Sequence, residues 1–209
     1  MAAMLSILFT SPLAFAILAA GLLLAITIHE FAHAWVADRL GDPTPRVQGR
    51  VTLNPRAHLD PIGTMAILIT RFGWGKPVQF DPYNLQDPLR DTALISLAGP
   101  ASNLVMAALL GVVVRLAIFP EVVGLILTYV ITINVVLALF NLIPIHPLDG
   151  SKIILALLPA ETALEYDHFM RRYGILVLIL LILPWNGVSP ASQLIWPAIE
   201  KVVSLLVGF

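Results

Sequence analysis

Residues 13–33, LAFAILAAGLLLAITIHEFAH, carry an apolar run from Leu13 to Ile28 directly into His29-Glu30-Phe31-Ala32-His33. No Pro or charged residue interrupts the run, so it reads as one membrane helix that ends in the HExxH pattern. At 3.6 residues per turn the two imidazoles share a face and can reach one Zn²⁺. Glu30, next to the first, can then hold a water that the metal acidifies, and peptide hydrolysis is the chemistry this combination suits. HExxH also occurs by chance on solvated helices, but ionisable groups in a membrane helix cost ~3 kcal/mol each. Three of them within five residues need a compensating interaction, and a metal with its base supplies one.

Composition places the rest of the chain in the same setting. With 58% hydrophobic residues, a mean hydropathy of +0.89 and 12% charged residues, an ordinary soluble domain is excluded. The reading is an all-α polytopic membrane protein whose first partner is the lipid bilayer. A net charge of −1 argues against nucleic-acid binding, and the absence of cysteine excludes disulfides and thiolate ligands. A metal here must therefore use His, Asp or Glu. No Lys or Arg precedes Arg39, so the N-terminal apolar run is read as a retained span and not a signal peptide.

Four to five transmembrane helices are expected. They cover about 12–40, ended by Gly41-Asp42-Pro43, then about 89–119 before Pro120, and about 122–142 before Pro144. A fourth, about 161–184, begins polar and is wholly apolar only over 175–183, while a fifth, about 191–209, is interrupted by Pro197, Glu200 and Lys201. That last segment can span, tilt or lie in the interface. Between the first two spans, 46–53 (RVQGRVTL) and 76–80 (KPVQF) have strand-like composition and predict a small β-hairpin. Residues 61–72 are too short to cross and predict a re-entrant or interfacial helix. Such a hairpin would offer a sheet edge to an extended substrate.

Positive charges orient the set. Arg39, Arg46, Arg50, Arg56, Arg71, Lys76 and Arg90 lie between the first two spans, and Lys152, Arg171 and Arg172 lie after the third. Both connections are predicted to be cytosolic, with the N-terminus outside, in a prokaryotic cell membrane. The HExxH end of the first helix, the start of the second and the end of the third then meet on one side. There, residues 141–150, NLIPIHPLDG, offer Asp149 and His146 as third ligands, with Asp149 preferred. The competing reading of Asp149 is a helix N-cap ahead of Gly150-Ser151-Lys152. His58 and Asp60 read as hydrogen-bonding groups of a turn-rich loop, and Trp185 and Trp196 as interface anchors.

HEFAH at 29–33, LAGPASN at 97–103 and NLIPIHPLDG at 141–150, in that order, resemble the site-2 protease family (M50) of intramembrane zinc metalloproteases. The resemblance covers residues 12–158. It implies one Zn²⁺ per chain on His29, His33 and Asp149, with Glu30 as general base. It also implies that Asn141 helps hold substrate or the oxyanion, and places Asn103 in the second core helix. Glu30, Asn141 and Asn103 are thus the expected catalytic set. The implied substrate is a membrane protein cut in or near a transmembrane helix. No PDZ or CBS domain fits in the chain, so residues 1–209 read as a single membrane-embedded metalloprotease domain. Asn103 and Asn141 can equally act as hydrogen-bond glue between helices, worth about 0.6 kcal/mol each.

Two other readings stand beside this one. A metal-ion transporter would continue its polar residues across the bilayer, whereas the outer halves of the first and third helices are nearly bare of them. A catalytically silent metal-binding relative would most simply have lost Glu30.

Overall fold

The computed structural model describes residues 9–70, 73–185 and 187–208. Three helices in it are long and apolar enough to cross a membrane: α1 (Pro12–Arg39), α4 (Pro88–Arg115) and α5 (Glu121–Asn141). Shorter helices α2 (Thr44–Val47) and α3 (Pro61–Thr70) fill the connection between α1 and α4, and α6 (Asp149–Leu155), α7 (Ala160–Ile182) and α8 (Pro190–Val207) follow α5.

Helix ends follow local chemistry. Pro12, Pro88 and Pro190 sit in the first turns of α1, α4 and α8, where a missing N–H is harmless. Asp87 and Ser189 cap α4 and α8 by accepting from Arg90 N and Ser192 N. Gly41 follows α1 at φ 111°, a conformation that favours glycine. The second long helix stops at Arg115, short of the expected 119, because Ala117 turns the chain at φ 50°.

The expected β-hairpin is corrected by the structure. Asp42, fully buried, accepts from Thr44 N and Thr44 Oγ1, and this, with Pro45, winds Arg46 and Val47 into α2. Gly49 at φ 68° then reverses the chain. Among the described residues the only pairing left in this region is an isolated bridge between Leu59 and Gly75. Asp42 also accepts from Asp81 N and Asn84 Nδ2, so one carboxylate ties the exit of α1 to the approach to α4. Burial opposes its ionisation, but these donors hold its pKa below the usual carboxylate range.

The helices pack through small residues. Gly21 of α1 faces Val130 and Ile133 of α5, and Gly111 of α4 faces Leu206 of α8. Ala107, Ile131, Val135, Ile199 and Val207 form a closed apolar core where α4, α5 and α8 meet. Large apolar side chains such as Leu24, Val105, Leu109, Val112 and Leu125 remain on the outside of the bundle, as lipid-facing residues do. The buried ionisable groups His29, His33 and Asp149 meet at one end of the bundle, where α1, α4 and the start of α6 converge.

Candidate metal centre

His29 and His33 stand one turn apart on α1, both buried, with ring centroids 4.6 Å apart. Gly99 of α4 is what admits them, because a Cβ there would lie 2.6 Å from His33 Cε1 and 2.7 Å from His29 Cε1. The imidazoles are oriented from behind. His29 Nδ1 donates to Asn103 Oδ1 at 2.7 Å, and His33 Nδ1 donates to the carbonyl of Ile95 at 2.6 Å. Their Nε2 atoms both point at Asp149 Oδ2, at 3.1 and 3.2 Å.

Asp149 reaches this point because the chain breaks after α5. Residues 142–148 form turns that end at Leu148, and α6 begins at Asp149 itself. Gly150 allows the tight approach, since a Cβ there would lie 2.5 Å from the carbonyl oxygen of Ile143. The Asp149 side chain makes no helix cap, and Leu148 occupies the cap position without a side-chain bond. Burial would raise the pKa of Asp149, but the two imidazoles beside it hold it well below the usual carboxylate range.

The donor set fits a metal ion on its own chemistry. With both Nδ1 atoms turned to Asn103 and Ile95, the two Nε2 atoms meet one carboxylate oxygen at 3.1 and 3.2 Å, and with the imidazoles neutral two lone pairs face that oxygen. A cation resolves that arrangement. Among the described residues these three donors, within 4.8 Å of one another, form a group able to hold a metal, and His146 is not part of it. The His146 ring is half-buried near Lys152, Arg171 and Asp167, and burial with the two cations lowers its pKa.

Glu30 lies beside the group. Its Oε2 accepts from Val78 N at 3.1 Å and faces Arg50 Nη2 at 3.9 Å. Arg50 is itself buried and donates to the Lys76 carbonyl, while Lys76 N donates to His58 O. The turn-rich loop thus clamps residues 75–78 as a strap against the Glu30 carboxylate. His58 Nε2 is bonded to Thr52 O, and Asp60 accepts from Gly63 N at the start of α3, so both serve loop structure.

The group opens into a cavity of about 460 Å³ walled by α1, α5 and the strap. Leu22, Ile26, Ile133, Val136 and Phe140 give it an apolar arm, and Glu30, Ser96, Asn141 and Lys152 give it a polar end. Asn141 lines the cavity, and its Nδ2 donates to the Leu137 carbonyl at 2.9 Å. Asn103 is fully buried and stands behind His29, away from the cavity wall.

Residues 117–183, which carry α5, the Asp149 turn and α7, match the sequence model of peptidase family M50. YwhC of Bacillus subtilis (strain 168), which bears the name of a zinc metalloprotease, is 38% identical over 188 residues, covering 86% of this chain and 84% of that protein. The chain belongs to peptidase family M50. Rip2 of Mycolicibacterium smegmatis bears the same kind of name and is 32% identical over 178 residues, or 81% of this chain and 68% of the relative. Rip2 of Mycobacterium tuberculosis (strain H37Rv) is 31% identical over 185 residues, covering 83% and 71%. No solved structure matches the chain. With two imidazoles and a carboxylate as donors and a glutamate alongside, the M50 chemistry on this chain is that of a zinc metalloendopeptidase.

Three contributors to this M50 site were not legible as such in the sequence. Arg50 and the Val78 N–H act on Glu30 through the strap, and nothing in their local sequence marks them. Asn134, which bonds Asn103, left a signal: an amide inside the largely apolar residues 129–140 of a membrane helix.

Proposed function

We propose that this chain is a zinc-dependent intramembrane endopeptidase, a single membrane-embedded domain that cuts membrane-protein substrates in or near their transmembrane segments. The observation that carries the reading is the convergence of His29, His33 and Asp149 with Glu30 at the polar end of a cavity whose other arm is apolar. His29, His33 and Asp149 would hold one Zn²⁺, and the chemistry zinc supplies at such a site is acidification of a water and polarisation of a carbonyl. Glu30 takes the water's proton on the carboxylate oxygen that Val78 leaves free, then returns it to the leaving nitrogen. Asn141, on the cavity wall, holds the substrate backbone. A helical substrate has its carbonyls occupied, so the segment must unwind to enter, and Gly or Pro near the bond favours this.

The apolar outer halves of α1 and α5 support a peptidase over a transporter, and the apolar core among α4, α5 and α8 agrees with this. Zinc content of the purified chain tests the ligand set. About one zinc per chain is expected in the wild type, in Glu30→Gln and in His146→Ala, with loss in His29→Ala, His33→Ala and Asp149→Ala. Full occupancy in Asp149→Ala together with loss in His146→Ala would reject the third ligand.

The distribution of Lys and Arg supports a cytosolic site and an outside N-terminus in a prokaryotic cell membrane. Tyr166 OH donates to Pro144 O, and Gly174 lies against His146, contacts with the loop after α5 that support reading α7 as an interfacial helix and not a span. The 18 residues of α8, about 27 Å long, pack on α5 and α4, and their last carbonyls accept from Arg115 at the far end of α4. On this reading α8 crosses with α1, α4 and α5, four spans in all. In intact cells an impermeant thiol reagent should label a cysteine introduced at Glu121, but not one at Gln86, Thr162 or Val188. Labelling at Val188 alone among the last three would make α7 a fifth span.

A further inference from the structure

Asn134 occupies the middle of α5 with no exposed surface, in a helix of mean composition suited to lipid. It makes two bonds. Its Nδ2 donates to the Val130 carbonyl at 2.9 Å, and its Oδ1 accepts from Asn103 Nδ2 at 2.9 Å. Asn103 Nδ2 also donates to the Ala25 carbonyl of α1 at 3.0 Å, and Asn103 Oδ1 accepts from His29 Nδ1 at 2.7 Å. Every polar atom of both amides is therefore engaged, across three helices.

The direction of this chain is fixed by backbone. The Val130 carbonyl accepts only, so it takes the NH₂ of Asn134 and turns its oxygen toward α4. That oxygen and the Ala25 carbonyl take both hydrogens of Asn103, so only Oδ1 of Asn103 is left to face His29. The ring nitrogen opposite it must be the N–H, and Nε2 is left with its lone pair toward Asp149 and His33. Without Asn134, only the Ala25 carbonyl holds the Asn103 amide in this sense, and a flipped amide would turn its NH₂ to His29, whose Nδ1 would then accept while Nε2 carried the proton.

We propose that Asn134 is a positioning residue of the metal centre: through Asn103 it fixes the ring orientation and tautomer of His29 that leave Nε2 free for the metal. The proposal rests on the zinc reading given above and extends it to a residue about two bonded steps from the ligand. Groups that orient metal-bound histidines are worth about 10- to 100-fold in metal affinity. Helix glue alone would contribute to packing and leave that affinity unchanged.

Asn134→Val and Asn134→Thr separate the two roles, because Val and Thr have the same shape. Thr keeps a hydroxyl that donates to the Val130 carbonyl and accepts from Asn103. Zinc affinity of the full chain in detergent is measured by competition with a chromophoric chelator, alongside the melting temperature of the zinc-stripped protein. Asn134→Val should bind zinc about 10-fold more weakly than the wild type, and Asn134→Thr should recover most of that loss. Equal zinc affinity in Asn134→Val and wild type would overturn the proposal, whatever the stripped proteins' melting temperatures. Should Asn134→Val not fold, Asn134→Ala decides by the same chelator competition: zinc binding about 10-fold weaker than the wild type is expected, and wild-type affinity overturns the assignment. A wild-type chain that binds no zinc would overturn the metal reading and this proposal together, whereas a zinc-replete wild type indifferent to position 134 would remove this proposal alone.

Discussion

Gly99→Ala should empty the metal centre while the helices stay folded. The added Cβ would sit 2.6 Å from His33 Cε1 and 2.7 Å from His29 Cε1, and closer still to His33 Nε2. α4 has little freedom to retreat, because Asn103 Nδ2 is bonded to the Ala25 carbonyl at 3.0 Å and Ser102 Oγ lies 3.5 Å from the Ile28 carbonyl, both on α1. The imidazoles must rotate instead, which breaks their Nδ1 bonds to Asn103 and Ile95 and swings Nε2 off Asp149. Losing an orienting partner alone costs about 10- to 100-fold in affinity, so displacement of two ligands should exceed about 100-fold. Zinc retained after dialysis against a chelator measures it. Gly124→Ala, which meets only open space, is the control and should keep its zinc. If Gly99→Ala retains zinc like the control, the close approach of α4 to the two histidines is wrong.

Glu30→Gln should lower peptide hydrolysis by about 10²–10⁴-fold, the range for loss of a general base. Glutamine keeps the size of the side chain and an oxygen able to accept from Val78 N, so the strap has no reason to move. It does not ligate in the arrangement described, so zinc content should stay at wild-type level. What is lost is the ability to take a proton. The check is a rate measured at equal zinc occupancy. A Glu30→Gln protein that cleaves at the wild-type rate would assign the base elsewhere.

The long helices were legible because their signal is simple. Residues 13–28 and the apolar runs before Pro120 and Pro144 carry no charge that a bilayer would refuse, and caps or prolines mark their ends. The meeting of His29, His33 and Asp149 was legible for a different reason: charge distribution puts three helix ends on one side, and only a few polar side chains are available there. The strap region was misread. RVQGRVTL has β-favouring residues, but the Asp42 carboxylate and Gly49 impose a helical turn and a reversal, and such capping by a side chain outside the segment overrides local propensity. Arg50 was invisible as a neighbour of Glu30 because its placement depends on that fold. Asn103 was legible as a site residue, and the geometry adds that it is fully buried and bonded to His29.

The most direct test of the central claim is to map where the enzyme cuts. A single-span membrane protein with a Gly/Pro-weakened helix is reconstituted in liposomes with the wild-type chain or with Glu30→Gln, and the products are sized by mass spectrometry. The account predicts cleavage within or at the edge of the apolar segment, abolished by a zinc chelator, restored by added zinc, and at least about 10²-fold slower with Glu30→Gln. Cleavage confined to soluble flanking sequence, or none by a chain carrying its full zinc, would contradict it.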